Sequence, residues 1–438
     1  MFFLFMLWAC APKPNQVESF ENAWQTVSNS YPYEDFQGVD WQAVHDELLP
    51  KAQEARTPAD LRPVLRDMLG RLTISHYGII PAYHYQSDSG PKPQLAPKDS
   101  QKKSVPLPKH DGWIGIEARL VESKLTVIKI DPKSSAYTAG VRTGWTINKI
   151  GSSDIDAMIA KQDKETSTKS LEYRIARSTS YLLRYSIGST RTFIFQDTKN
   201  NITELKLVAA PLPGTPYQVG HLPNILVRFQ HQQLPEGPHL IAFSSFMMPI
   251  RAPFEEAMKE VAQSNPLGLI IDLRGNPGGL IGLGSGLAGY LVHKQGLHLG
   301  TFITRDGRMN YVVYPRLNSQ RYHGPVAILV DELSMSTSEI FAGALQEIKR
   351  AKVFGFPTPG MALPSTITQL PNGDRLQYVL GDMKSPSGKP YEGVGVQPNE
   401  MIVRQRQDYI SGKDPVIEAA TRWLLQEARK SAPQAQPK

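Results

Sequence analysis

Three serines at alternate positions, Ser334, Ser336 and Ser338, sit where an apolar run gives way to a helical pattern. The run Val326-Ala-Ile-Leu-Val330 has the length and β-branched content of a buried strand. Asp331-Glu332 ends it, and from Ser338-Glu339 onward Ile340, Phe341 and Leu345 fall on one helical face. A hydroxyl at a strand-to-helix turn is exposed at the sheet edge. The helix N-terminus behind it carries free amides able to hold an oxyanion. This is the chemistry of a nucleophilic serine, with Ser336 central, Ser338 as N-cap and Ser334 in the turn. The same pattern also fits a plain serine-rich helix cap.

A second segment, Leu267-Gly-Leu-Ile-Ile-Asp-Leu-Arg-Gly-Asn-Pro-Gly-Gly279, reads as another buried strand running into a loop whose glycines let backbone approach a substrate closely. Together the two segments resemble the core of the carboxyl-terminal-processing and tricorn-type serine peptidases. The signatures of that superfamily read roughly D-L-R-x-N-x-G-G and S-x-S-x-S-E, and both occur here in the expected order. The processing-protease branch uses a Ser-Lys dyad. In the matching stretch, Gly355 to Pro364, the lysine position holds Met361, 25 residues after Ser336. A thioether cannot accept the serine proton, so the base lies elsewhere.

The tricorn-like branch carries its base in a Ser-His pair ahead of an inserted PDZ-like module, and Ser75-His76 stands at that position. That branch also uses a glutamate before a G-V-x-P-D segment, and Tyr391-Glu-Gly-Val-Gly-Val-Gln-Pro-Asn399 offers Glu392, with Asn399 replacing the usual aspartate. The resemblance implies Ser336 as nucleophile, His76 as base, and Glu392 supporting the site through Ser75 or water. The amides of Thr337 and of Gly278 or Gly279 would form the oxyanion hole. Met361 also favours a second reading, a catalytically inactive PDZ-containing lipoprotein that binds peptides or scaffolds its partners.

The 438-residue chain is long enough for two or three domains. Its formal charge of +7 comes from scattered lysines and arginines, with no run denser than Lys102-Lys103, which argues against nucleic-acid binding. No metal-ligand spacing stands out among the histidines and the one cysteine, and no phosphate loop is present, so neither metal nor cofactor is expected. Residues 1–10 form an apolar stretch too short to span a bilayer but suited to a signal-peptide core. Leu7-Trp8-Ala9-Cys10 resembles a bacterial lipobox, implying lipidation at Cys10 and an outer-membrane lipoprotein of the bacterial envelope facing the periplasm.

Further along, residues 11–18 read as a tether and 19–84 as a helical region, from spacings such as Phe20-Ala23-Trp24-Val27. Residues 85–110 form a Ser/Gly/Pro/Lys linker. Residues 111–210 resemble a PDZ domain. Trp113-Ile114-Gly115-Ile116 would be its carboxylate-binding loop, and Trp145 replaces a usual aspartate. Residues 215–430 alternate strand and helix, an α/β pattern that the resemblance identifies as a crotonase-like spiral core. Residues 431–438 read as a disordered tail. The expected partners are peptide or protein substrates and a membrane reached through the lipid.

Overall fold

A computed structural model describes residues 15–85 and 111–431, apart from Thr166, Thr168, His221, Pro223, Asn265 and Gln295. The leader, Cys10, the 86–110 linker and residues 432–438 lie outside the described residues. The chain is a mixed α/β protein of several sheets with helices on their faces.

Its central sheet has six strands in the order Phe229–Gln233, His239–Phe243, Leu269–Asp272, Val326–Val330, Lys352–Gly355 and Glu400–Met401. The first pair is antiparallel and every later pair parallel. The fully apolar strand at 326–330 is explained by burial on both faces. Val326, Ile328 and Val330 join a core with helices Arg251–Ser264, Ile281–Ala288 and Thr337–Glu347. Ala327 and Leu329 point the other way, onto Val416, Ala419, Ala420 and Leu424 of the last helix, Pro415–Ser431.

Helices Asn15–Ser30, Trp41–Glu54 and Pro58–Gly70 build the N-terminal region. The expected tether is shorter than 11–18, because the first helix begins at Asn15 and already buries Gln16 and Ser19. Phe20, Leu61, Leu65 and Met68 form a common core with Leu370 and Leu376, so these helices pack against residues from the C-terminal part of the chain. Immediately after His76, strand Gly78–Ile80 pairs with Arg375–Val379, which in turn pairs with Ser365–Gln369. That pairing carries an N-terminal segment to the C-terminal third of the sequence.

Residues 111–210 form their own core, including Ile114, Ile116, Val127, Phe193 and Phe195. Strands Gly112–Trp113 and Ala210–Pro211 pair where the module enters and leaves. Its main sheet runs Ile116–Val121, Lys124–Ile130, Thr146–Ile150, Thr190–Gln196 and Ile202–Val208, with Ser153–Asp154 beside the third. Buried Arg119 pins the module to the core, donating to Asp331 at 2.9 Å and approaching Glu332 at 3.4 Å, while Arg404 holds Glu332 from the other side. Among the described residues, no helix is long and apolar enough to cross a membrane.

Candidate active site

The three parallel strands ending at Asp272, Val330 and Gly355 release loops at one edge of the sheet, where open α/β sheets place their ligands. Ser336 lies on the second loop and is the N-cap of helix Thr337–Glu347, with φ 56° and ψ −120°. Few non-glycine residues hold such a backbone, and it persists only where neighbours over-determine it. Here they do. The Ser336 N–H donates to Met361 O at 2.8 Å and to Glu339 Oε2 at 3.0 Å.

The cap therefore falls at Ser336 and not at Ser338, because the Glu339 carboxylate ties the helix start back to position 336. Ser338 instead donates from Oγ to Asn276 O, and Ser334 donates to Leu273 O, so both flanking hydroxyls stitch this turn to the glycine loop.

Glu339 was the main omission of the sequence reading. It is fully buried and also accepts from Thr358 Oγ1 at 2.6 Å, Gly360 N–H at 2.8 Å and Met361 N–H at 2.9 Å. Burial pushes its carboxyl up to about 7 even against these donors. Its spacing, three residues after a helix-capping serine, was the available signal. Glu339→Gln keeps the volume but turns an amide group toward donors. We expect an activity loss of about tenfold and a melting temperature lower by a few degrees in calorimetry, since an unsatisfied buried donor costs about 1–3 kcal/mol.

The glycine loop lies against the Ser336 turn. Gly278 has φ 92°, and a Cβ there would sit 2.7 Å from both Ser336 Cβ and Thr337 N. Its N–H donates to Asn276 Oδ1 at 2.9 Å, so of the two glycines it is the one whose amide is already engaged. Among the described residues, the N–H groups of Gly279 and Thr337 have no protein acceptor. The Thr337 hydroxyl meanwhile donates to Gly279 O at 2.7 Å, binding the two segments together.

Ser75, His76 and Glu392 come together although Glu392 is 317 residues beyond Ser75 in sequence. The Glu392 carboxylate accepts from Ser75 N–H at 2.7 Å, Ser75 Oγ at 2.9 Å and Ala362 N–H at 3.0 Å. Ser75 Oγ lies 2.6 Å from His76 Nδ1. Since the hydroxyl has one proton and gives it to an acceptor-only carboxylate, Nδ1 must be the donor to Ser75. The lone pair of the imidazole then resides on Nε2. Met361, bonded to Ser336, and Ala362, bonded to Glu392, are adjacent residues, so one backbone segment links the two halves of the site. No hydrogen bond joins His76 to the Ser336 hydroxyl among the described residues.

His76 also has a positive φ of 68°. Burial, with the nearby Lys169 ammonium, lowers its pKa to about 4, which keeps the imidazole neutral. Lys169 belongs to the inserted module and donates to the carbonyls of Pro359 and Gly360, both at 3.0 Å. In the same module Ile114 and Ile116 are buried, while the Gly115 carbonyl accepts from Asp131 N–H.

Parts of the chain match known protein families. The profile of peptidase family S41 matches residues 239–402, and that of the tricorn protease C1 domain matches residues 12–70. The chain belongs to the carboxyl-terminal-processing and tricorn-type serine peptidase superfamily. The carboxyl-terminal-processing peptidase 3 of Arabidopsis thaliana chloroplasts is 25% identical over 382 residues, covering 86% of this chain and 67% of that one. A probable CtpA-like serine protease of Staphylococcus haemolyticus is 30% identical over 143 residues, 33% of this chain and 29% of its own length. The structure of mature CPAF complexed with lactacystin superposes with a TM-score of 0.63 at 13% identity, covering 95% of this chain and 99% of that one. The S41 match contains the Gly278–Gly279 loop, the Ser336 turn and Glu392, while Ser75-His76 lies beyond both matched ranges.

Proposed function

We propose that this S41-family chain is a serine endopeptidase of the cell envelope that cuts unstructured peptides or protein C-terminal segments through Ser336, His76, Ser75 and Glu392. The Glu392–Ser75–His76 relay carries the reading, because it fixes the tautomer that leaves Nε2 free to accept a proton. Substrate closure would bring Nε2 onto the Ser336 hydroxyl, as catalytic hydrogen bonds commonly tighten on binding.

Ser336 Oγ attacks the scissile carbonyl while His76 takes its proton. The carbonyl oxygen becomes an oxyanion held by the Gly279 and Thr337 amides. Collapse expels the amine, which leaves with the proton from His76. Water, deprotonated in turn by His76, then cleaves the acyl ester and Ser336 recovers its hydrogen. Losing one oxyanion donor typically costs about 100- to 1000-fold. An apolar cleft of about 500 Å³, with Leu280, Ile281, Leu283 and Leu287 in its wall, begins next to Gly279 and suits an apolar substrate side chain.

In this reading the central sheet is a crotonase-like core and residues 111–210 are a PDZ-like module. The edge position of strand Ile116–Val121, with helix Leu171–Leu182 against it, supports a groove for an extended peptide C-terminus, entered at the Trp113–Ile116 loop. Attachment through Cys10 belongs to the same proposal, and Cys10→Ala should move the protein from the membrane to the soluble fraction.

A fluorophosphonate probe tests the activity directly. The folded wild type should be labelled once, at Ser336, and Ser336→Ala should not be labelled. A folded wild-type protein that resists the probe sinks the proposal.

A further inference from the structure

A second cluster of chemistry-bearing side chains lies at the opposite end of the central sheet. His231 is on the edge strand Phe229–Gln233 and pairs with Ile241; His239 opens the next strand and pairs with Gln233. Since 239 and 241 share a face, both imidazoles project to the same side of the sheet. Helix Arg251–Ser264 lies against these two strands and brings Glu260 and Ser264 to the pair. The Gly279 and Ser336 loops leave the sheet at the other strand ends, so this cluster takes no part in the relay around His76.

His231 Nε2 lies 2.9 Å from His239 Nδ1, and His231 Nδ1 lies 3.6 Å from Glu260 Oε2. His239 Nε2 faces Ser264 Oγ at 3.3 Å. One ligand atom from each of His231, His239 and Glu260 can be chosen so that all three lie within 4.8 Å of one another. Two nitrogens each about 2.0–2.1 Å from one ion are about 3.3–3.4 Å apart in tetrahedral geometry and about 2.9 Å apart at right angles. The observed separation is already near these values, and turning the two rings brings both lone pairs onto one ion. One proton now sits between the two facing nitrogens. It can shift to the far nitrogen of its own ring, and on His239 that nitrogen faces Ser264 Oγ, placed to receive it as metal-bound imidazoles usually require.

We propose that His231, His239 and Glu260 form a binding site for one divalent metal ion, zinc and nickel being among the ions that two imidazoles and a carboxylate suit. The strand register fixes the two rings before the ion arrives, His239 being almost fully buried. Glu260, whose side chain is 63% exposed on the covering helix, is the ligand free to swing in, with water completing the coordination. The ion would tie the exposed edge strand to the helix that covers it. Another imidazole pair, His293 and His323, lies among Arg350 and Arg321 with no carboxylate ligand grouped with it among the described residues, so it serves as an internal control.

The test is calorimetric titration of zinc chloride, and separately nickel chloride, into tag-free, chelator-treated full-length protein. We expect one ion per chain, at least tenfold weaker binding for His231→Gln and for Glu260→Gln, and unchanged binding for the His293→Gln/His323→Gln double variant. Circular dichroism and the metal-free melting temperature establish that each variant is folded. The spectrum of the copper(II) form should carry hyperfine coupling to two imidazole nitrogens, falling to one in His231→Gln. No saturable binding by the wild type overturns the proposal and leaves a hydrogen-bonded histidine pair. Undiminished binding by His231→Gln, or loss of binding in the control variant, overturns it as well. None of these readouts depends on peptidase activity.

Discussion

His76→Ala should reduce peptide turnover by about 10⁴-fold or more while leaving the melting temperature close to that of the wild type. The side chain is the end of the Glu392–Ser75–His76 relay, so its removal takes away the proposed proton acceptor and little of the core. A direct alternative base is Lys169, whose ammonium lies close enough to influence His76. The pH dependence of kcat/KM separates them. A base with pKa of about 4 is deprotonated above that value and loses activity only as the pH falls through it, so the acidic limb should lie well below the 6.5 of an ordinary imidazole. Burial is the larger cause of the depression and Lys169 the smaller. Lys169→Met should consequently retain activity and move the limb upward, part of the way toward 6.5. An inactive Lys169→Met beside an active His76→Ala would reverse the two assignments. Lys169 also grips the carbonyls of Pro359 and Gly360, so an intermediate loss of kcat in Lys169→Met measures how far the inserted module positions that loop.

What the sequence could convey about this site depends on whether the relevant contacts are local. The strand at 326–330 and the turn through Ser336 were legible because an apolar run, a serine and a helical face follow one another without interruption. The helices near residues 20 and 65 were legible from spacing alone, and their burial in one core follows that spacing. Ser75-His76 and Glu392 became candidates through resemblance only, since no local pattern says that residues more than 300 apart share hydrogen bonds. What unites them is the pairing of Gly78–Ile80 with Arg375–Val379, an antiparallel contact that leaves no trace in either strand's composition. Glu339 was read as the start of a helical pattern. Its partners Thr358, Gly360 and Met361 lie on a different loop, so nothing local marked it as the buried centre of four hydrogen bonds. The choice between Gly278 and Gly279 could not be made from adjacent identical letters. It turns on Asn276, whose side-chain oxygen takes the Gly278 amide. His231, His239 and Glu260 escaped notice for the same reason, each coming from a separate element.

Gly278→Ala should damage both activity and stability, lowering kcat by about 100-fold or more and destabilising the fold by about 2–4 kcal/mol. Two independent effects add. At φ 92° an L side chain is strained whatever space surrounds it. The new Cβ would also meet Met335 O, Ser336 Cβ and Thr337 N, each at 2.7 Å, and two of these are backbone atoms that cannot swing aside as a long side chain can. Relief must come from separating the glycine loop from the serine turn. That movement pulls against the Ser338–Asn276 and Thr337–Gly279 hydrogen bonds, which hold the same two segments together. The nucleophile and the Gly279 amide would then be displaced relative to each other, and an error of about 1 Å between reacting groups can cost about 100-fold. Denaturant unfolding and single-turnover kinetics measure the two parts separately. Fluorophosphonate labelling of the folded fraction should slow in step with kcat, because acylation uses the same hydroxyl and the same amides. A Gly278→Ala protein with wild-type stability and wild-type labelling would mean that the loop and the turn are not packed as described. The oxyanion assignment to Gly279 and Thr337 would fall with it.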